Sequence, residues 1–379
     1  MDITTALLSP RQLAKAAKRY ISRQQVKAPY LGPVITPDKY HLAARVLEAK
    51  RLKYKEPVIL AHGAFCNSDV WRLGIDEQNF VKTLRDAGFD VIIFDNRGHG
   101  RSRSRTLSLN DNFDAIVSDV PVVCDWALKK IDLEQELGYR KIHWVGHSMG
   151  AMMFMAYSAA HPEEAEKFAS FASMAGPTRI SSNNPLIQLL LKSGAAYNTA
   201  FSLVGLSRLN PLRLVMEGML PFTKKLPEGA FAALFLLANQ LELDKIDPRV
   251  TLKFLADAIE WLPIGLMNSL SLNVTTGRFC SADGKTDYFV PLAKVTVPAL
   301  FVGAKLDMLV SEENIKRIFK QWGSKVPRKN GKVDKKLHIA KESGHIGVLF
   351  DLKVQQMVLE HIIAHSTPIR YSVEPASSD

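Results

Sequence analysis

Six short, almost wholly apolar runs recur along this chain with helical stretches between them: Val58-Ile59-Leu60, Val91-Ile92-Ile93-Phe94, Ile142-His143-Trp144-Val145, Phe168 to Met174, Ala299-Leu300-Phe301-Val302 and Leu337-His338-Ile339-Ala340. A strand with one wet face alternates polar and apolar residues, whereas a continuous apolar run belongs to a strand covered on both faces. Such strands alternating with helices predict an α/β fold, a mostly parallel central sheet flanked by helices. Ligands of open parallel sheets bind beyond the carboxyl ends of the strands, so the turns after these runs are the places to search for chemistry. Ahead of them, Val34-Ile35-Thr36 and Ala43-Ala44-Arg45-Val46-Leu47 read as an opening hairpin with Pro37-Asp38-Lys39 as turn material.

The alternation breaks between Pro177 and Val290, a stretch helical in pattern and rich in Leu, Ala, Phe and Met. Strand-like runs resume at Ala299 and complete the first sheet, which argues for an insertion over the strand ends rather than a second domain in tandem. The predicted organisation is a basic N-terminal helical segment (1–30), a core made of 31–176 and 291–379, and a helical cap or lid (177–290). With 379 residues and a hydrophobic fraction of 47% the chain can bury a core of that size.

The most specific turn follows the third run: Gly146-His147-Ser148-Met149-Gly150 leads from a strand into an apolar helix starting near Met149. A Cβ at either glycine would meet neighbouring backbone, so this spacing forces the serine onto a sharp strand-to-helix turn. There its hydroxyl stands above the sheet at a helix N-terminus, where N–H groups favour developing negative charge. A serine hydroxyl needs a general base at neutral pH, and the base needs a carboxylate to fix its tautomer. Past the strand that follows the insertion lies Asp307, the candidate acid. Past the last strand, in Glu342-Ser343-Gly344-His345-Ile346-Gly347, lies His345, the candidate base. Acyl transfer also needs donors for an oxyanion. The Met149 N–H is one candidate; the Ala64 N–H, in Ala61-His62-Gly63-Ala64-Phe65, is the other.

On these motifs the chain resembles the α/β-hydrolase superfamily from about Val34 to His365. His62-Gly63 is similar to its oxyanion-loop signature, Asp95-Asn96-Arg97-Gly98-His99-Gly100-Arg101-Ser102 to its Asp-x-Arg-Gly-x-Gly-x-Ser loop, and Gly146 to Gly150 to its nucleophile elbow. The resemblance implies an α/β-hydrolase fold with a variable helical cap inserted before the strand that leads to the acid. A serine at position 148 disfavours the epoxide hydrolase and dehalogenase branches, which use aspartate there. It implies ester, thioester or amide chemistry through an acyl-enzyme. The apolar insertion then points to an acyl ester or lipid as the substrate class, although packing among its own helices accounts for most of those residues. An acyltransferase, a cofactor-free perhydrolase or haloperoxidase, and a non-catalytic binding module are the alternatives; the last has no need of all three residues. No cofactor is expected, and no His and carboxylate spacing suits a metal.

Other reactive residues take structural readings: Asp95 and Arg97 as braces, His62 and His147 as neighbours of the site, His161, His338, His361 and His365 as helix or strand histidines, and Cys66 as a buried thiol. Three cysteines without metal or redox spacing, and a start lacking a signal-peptide pattern, lead us to expect a cytoplasmic protein. Net charge is +11, and between Met1 and Pro57 twelve basic residues face four acids. A basic N-terminal helix docked on its own domain is the simpler account; peripheral contact with an anionic membrane is the second. No nucleic-acid motif appears.

Overall fold

In the computed structural model the described residues are 34–74, 78–102, 110–135, 141–181, 262–327 and 332–369, with Val250, Phe254 and Ala258. The N-terminal segment 1–30 and most of the predicted cap lie outside them. In chain order the elements are β1 (Val34–Ile35), β2 (His41–Leu42), β3 (Ala44–Leu47), β4 (Val58–Ala61), α1 (Phe80–Ala87), β5 (Val91–Phe94), α2 (Phe113–Gln135), β6 (Ile142–His147), α3 (Met149–Ala160), β7 (Phe168–Met174), α4 (Ile264–Thr276), β8 (Ala299–Ala304), α5 (Glu312–Gln321), β9 (Lys335–Ala340) and α6 (Leu352–Ala364).

All six apolar runs are strands of one seven-stranded sheet, ordered β3-β5-β4-β6-β7-β8-β9. Every pair is parallel except β3 with β5. The central strands β4 to β8 are buried at every residue, as unalternating runs require. Alternate side chains feed two cores. Ile59, Ile92, Trp144, Phe171 and Phe301 point into one, with α2, α3 and Trp322. Val58, Leu60, Ile93, Val145, Ala172 and Leu300 point into the other, with Phe80, Leu84, Val354 and Val358 from α1 and α6. Helix α3 is buried from Met149 to Ala159, so its sequence carries no polar face. Strand β9 closes one edge and is less covered; its Lys335 turns inward to donate to the Phe319 carbonyl at the end of α5, 2.7 Å away.

The opening hairpin pairs differently from the sequence expectation. Val34–Ile35 pairs with His41–Leu42, whereas Ala44–Leu47 leaves the hairpin and joins the main sheet against Val91–Phe94. Strand pairing is nonlocal. The Val91–Phe94 run offers four buried partners that a two-residue arm cannot match.

Candidate active site

Local sterics build the turn at Ser148. A Cβ on Gly146 would stand 2.4 Å from the Ala151 nitrogen, and one on Gly150 would stand 2.2 Å from the Ala61 carbonyl oxygen. Only glycine lets β4, β6 and α3 approach this closely. Ser148 takes φ 50° and ψ −116°, a conformation costly for a residue with a side chain. Its N–H donates to the Met174 carbonyl on β7 at 2.9 Å, and its own carbonyl accepts from Ala151 and Met152, which opens α3.

The two downstream residues arrive on loops that are stitched together. After β8, the Lys305 N–H donates to Ala340 and the Leu306 N–H to Ser343, tying the Asp307 loop to the His345 loop. One Asp307 oxygen, Oδ1, accepts the Leu309 and Val310 N–H groups at 2.8 and 2.9 Å. The other, Oδ2, accepts from His345 Nδ1 at 2.7 Å. With Nδ1 carrying the proton, His345 Nε2 is the acceptor for the Ser148 hydroxyl, 2.9 Å away. The Asp307 side chain is fully buried and that of His345 is 7% exposed. The structure therefore brings Ser148, His345 and Asp307 into one hydrogen-bonded relay.

The two candidate donors flank this serine. Met149 is the first residue of α3, where an N–H has no acceptor within its own helix. Ala64 follows Gly63, and a Cβ on Gly63 would come within 3.2 Å of the Ser148 Cβ. The loop carrying Ala64 is held by His62, which thereby does more than neighbour the site. His62 Nε2 accepts the Asn96 N–H at 2.9 Å, which leaves Nδ1 to donate to the Gly63 carbonyl at 2.8 Å. Burial pushes the His62 pKa down to about 4, so it keeps this neutral tautomer.

The loop after β5 braces rather than reacts. Asp95 accepts from the Ser68 and Arg101 N–H groups. Ser102 Oγ donates to the Asp95 carbonyl and accepts from the Ala43 N–H. Arg97 forks onto Asp119 at 2.6 and 2.9 Å and onto Asp38 at 2.7 and 3.2 Å. Cys66 is buried. Segment 177–290 meets this region at Ala258, whose carbonyl accepts the Asn67 N–H at 2.9 Å. Within the same segment Asn273 of α4 accepts from the Ile180 N–H and donates to the Thr178 carbonyl, and the Thr178 N–H reaches Asn314 of α5, donating to its Oδ1 at 3.0 Å.

One arrangement was not readable from the sequence. His147 Nε2 lies 2.9 Å from the carbonyl oxygen of His345, a residue 198 positions away. Adjacency to Ser148 was the available signal, and it names no partner.

A mostly parallel sheet of this order with a strained serine between β6 and α3 defines the alpha/beta hydrolase fold, and the chain belongs to that family, whose model matches residues 56–352. Among curated proteins it is 27% identical over 176 residues to human (Homo sapiens) gastric triacylglycerol lipase, an alignment covering 41% of each chain. The matched part thus spans well under half the length of that relative. Two solved structures share the fold. One is a thermophilic esterase from Thermogutta terrifontis (TM-score 0.53, 16% identity, 90% of this chain and 100% of that one). The other is a putative non-heme bromoperoxidase from Mycobacterium tuberculosis (TM-score 0.55, 17% identity, 86% and 97%).

Proposed function

We propose that this protein is a serine hydrolase that cleaves carboxylic esters of acyl or lipid-like substrates through an acyl-enzyme. The observation that carries the reading is the relay from Asp307 through His345 to Ser148, with its tautomer set by the 2.7 Å bond at Nδ1. Ser148 Oγ attacks the ester carbonyl and His345 Nε2 takes its proton; Asp307 stabilises the imidazolium that forms. The N–H groups of Ala64 and Met149 receive the oxyanion. On collapse the carbonyl re-forms, the C–O bond to the alcohol breaks, and His345 returns the proton to the leaving oxygen. Water then enters, gives its proton to His345 and attacks the acyl carbon. The second collapse releases the acid and restores the Ser148 hydroxyl.

The lipase relative supports an acyl-lipid substrate class, as does the apolar composition of 177–290, which we read as a cap roofing the site. Within that segment Val250, Phe254 and Ala258 are buried in the cluster that also holds Cys66, Val70 and Trp71.

The test is a panel of p-nitrophenyl esters of increasing acyl length, run on wild type and Ser148→Ala. The expected result is turnover that favours longer chains and vanishes in the variant. Turnover that survives Ser148→Ala refutes the mechanism, and a preference for acetyl refutes the lipid-like pocket.

A further inference from the structure

We infer that His147 is a positioning residue that gauges the nucleophile, base and oxyanion loops against one another: its Nε2–H holds the main chain of His345 while its ring bears on Gly63. This rests on the reading of Ser148 and His345 as nucleophile and base.

His147 is the last residue of β6, so its backbone is locked into the sheet next to Ser148. The residue is 1% exposed, and its ring lies between two loops. On one side Nε2 lies 2.9 Å from the His345 carbonyl, and the two imidazole centroids are 5.1 Å apart. On the other side a Cβ on Gly63 would stand only 2.7 Å from His147 Nδ1. Gly63 is therefore required by the His147 ring as much as by any ligand, and the ring sets how closely the Ala64 N–H can approach Ser148.

The bond at Nε2 is a donor bond, because its partner is a carbonyl. The ring proton thus sits on Nε2, and Nδ1 carries a lone pair that is buried without a hydrogen-bond partner. Leaving a buried acceptor unpaired has a cost, so packing at this place outweighs a polar bond. Burial, reinforced by the neighbouring His345 and His62, pushes the His147 pKa down to about 3. The ring therefore stays neutral, and a second cation does not oppose the imidazolium that His345 must become.

Anchoring the His345 carbonyl fixes the backbone from which only two side-chain torsions lead to Nε2. Misplacing a reacting group by about 1 Å can cost about a hundredfold in rate. Phenylalanine would fill the ring's space without the donor, and glutamine can return an N–H near the Nε2 position.

The experiment compares His147→Phe and His147→Gln with wild type by kcat, KM, fluorophosphonate labelling of Ser148, the pH profile of kcat and thermal melting. The expected result for His147→Phe is a roughly tenfold to hundredfold loss in kcat and labelling rate, with KM within about twofold and a displaced acid limb. His147→Gln should recover most of that loss. Wild-type rates in His147→Phe, or equal loss in a folded His147→Gln, overturn the inference. Imidazole nitrogen NMR on the wild-type chain tests it even where the Phe variant fails to fold. A neutral Nε2–H tautomer for His147 between about pH 5 and 8 is expected; titration in that range, or an Nδ1–H tautomer, overturns it. Turnover surviving in Ser148→Ala would instead sink the reading of the site, leaving the NMR result to stand on its own.

Discussion

Replacing Asp307 by asparagine isolates what the carboxylate does, because the structure dictates how the amide must sit. Asp307 Oδ1 accepts two backbone N–H groups at 2.8 and 2.9 Å. An asparagine must keep its carbonyl oxygen there, since turning the NH2 toward those donors would set donor against donor. Its NH2 therefore takes the place of Oδ2, 2.7 Å from His345 Nδ1. That nitrogen becomes an acceptor, and the imidazole proton moves to Nε2. Facing Ser148 is then a donor where a base is required, and the imidazolium loses its counter-charge. The loss expected for the wrong tautomer is about 10⁴-fold in kcat, the size known for this change in a serine protease triad, or about 5 kcal/mol of barrier. Because both backbone N–H groups stay satisfied, stability should change little. Asp307→Ala orphans them instead, at about 1–3 kcal/mol each. Ester turnover and thermal melting of wild type, Asp307→Asn and Asp307→Ala make the comparison. An asparagine variant keeping more than about a tenth of the wild-type kcat would refute Asp307 as the orienting group.

Two further predictions concern stability. Gly150→Ala sets a Cβ 2.2 Å from the Ala61 carbonyl oxygen and 2.6 Å from its carbon, both backbone atoms. The strain should cost about 1–3 kcal/mol or more, read as a lower denaturant midpoint, and an unchanged midpoint would mean that the turn can relax. Acid should also destabilise the fold well above the carboxylate range. Burial pushes His62 and His361 down to about 4, and His143 and His147 down to about 3. The unfolded chain therefore binds protons that the folded chain refuses as pH falls from about 6.5 toward 4, and stability drops by up to about 1.4 kcal/mol per pH unit per histidine. Asp119, pushed up to about 6 by burial, and Asp111, also raised, work in the opposite sense but are outnumbered. Urea midpoints at pH 7.5, 6.5, 5.5 and 5 give the slope, and a flat series contradicts the buried neutral histidines.

Much of this molecule was legible along the chain. The runs at Val91–Phe94 and Phe168–Met174 are the observed strands to the residue, and β4, β6 and β8 extend theirs by one or two residues. A strand buried on both faces must be apolar throughout, and that constraint is local. At the turn carrying Ser148 the Gly146 requirement is local too, set by the backbone of Gly150 and Ala151, whereas Gly150 is required by the distant backbone of Ala61 and His62. The short hairpin arm misled because its pairing depends on which distant strand offers buried partners. The His147 bond was invisible for the same reason: a histidine's letter names a donor and an acceptor but not the carbonyl 198 residues on that receives it.

The sequence by itself determined the sheet, the elbow and the three residue types a nucleophilic relay needs, because hydrophobic periodicity and the Gly-x-Ser-x-Gly spacing are written over short stretches of chain. Tertiary structure alone decided that Asp307 turns Oδ2 to His345, that His345 Nε2 meets Ser148, and that His147 lies between His345 and Gly63. Each is a distance between residues far apart in the chain. Such distances depend on how helices and loops close over the carboxyl ends of the sheet, which no short stretch of sequence contains.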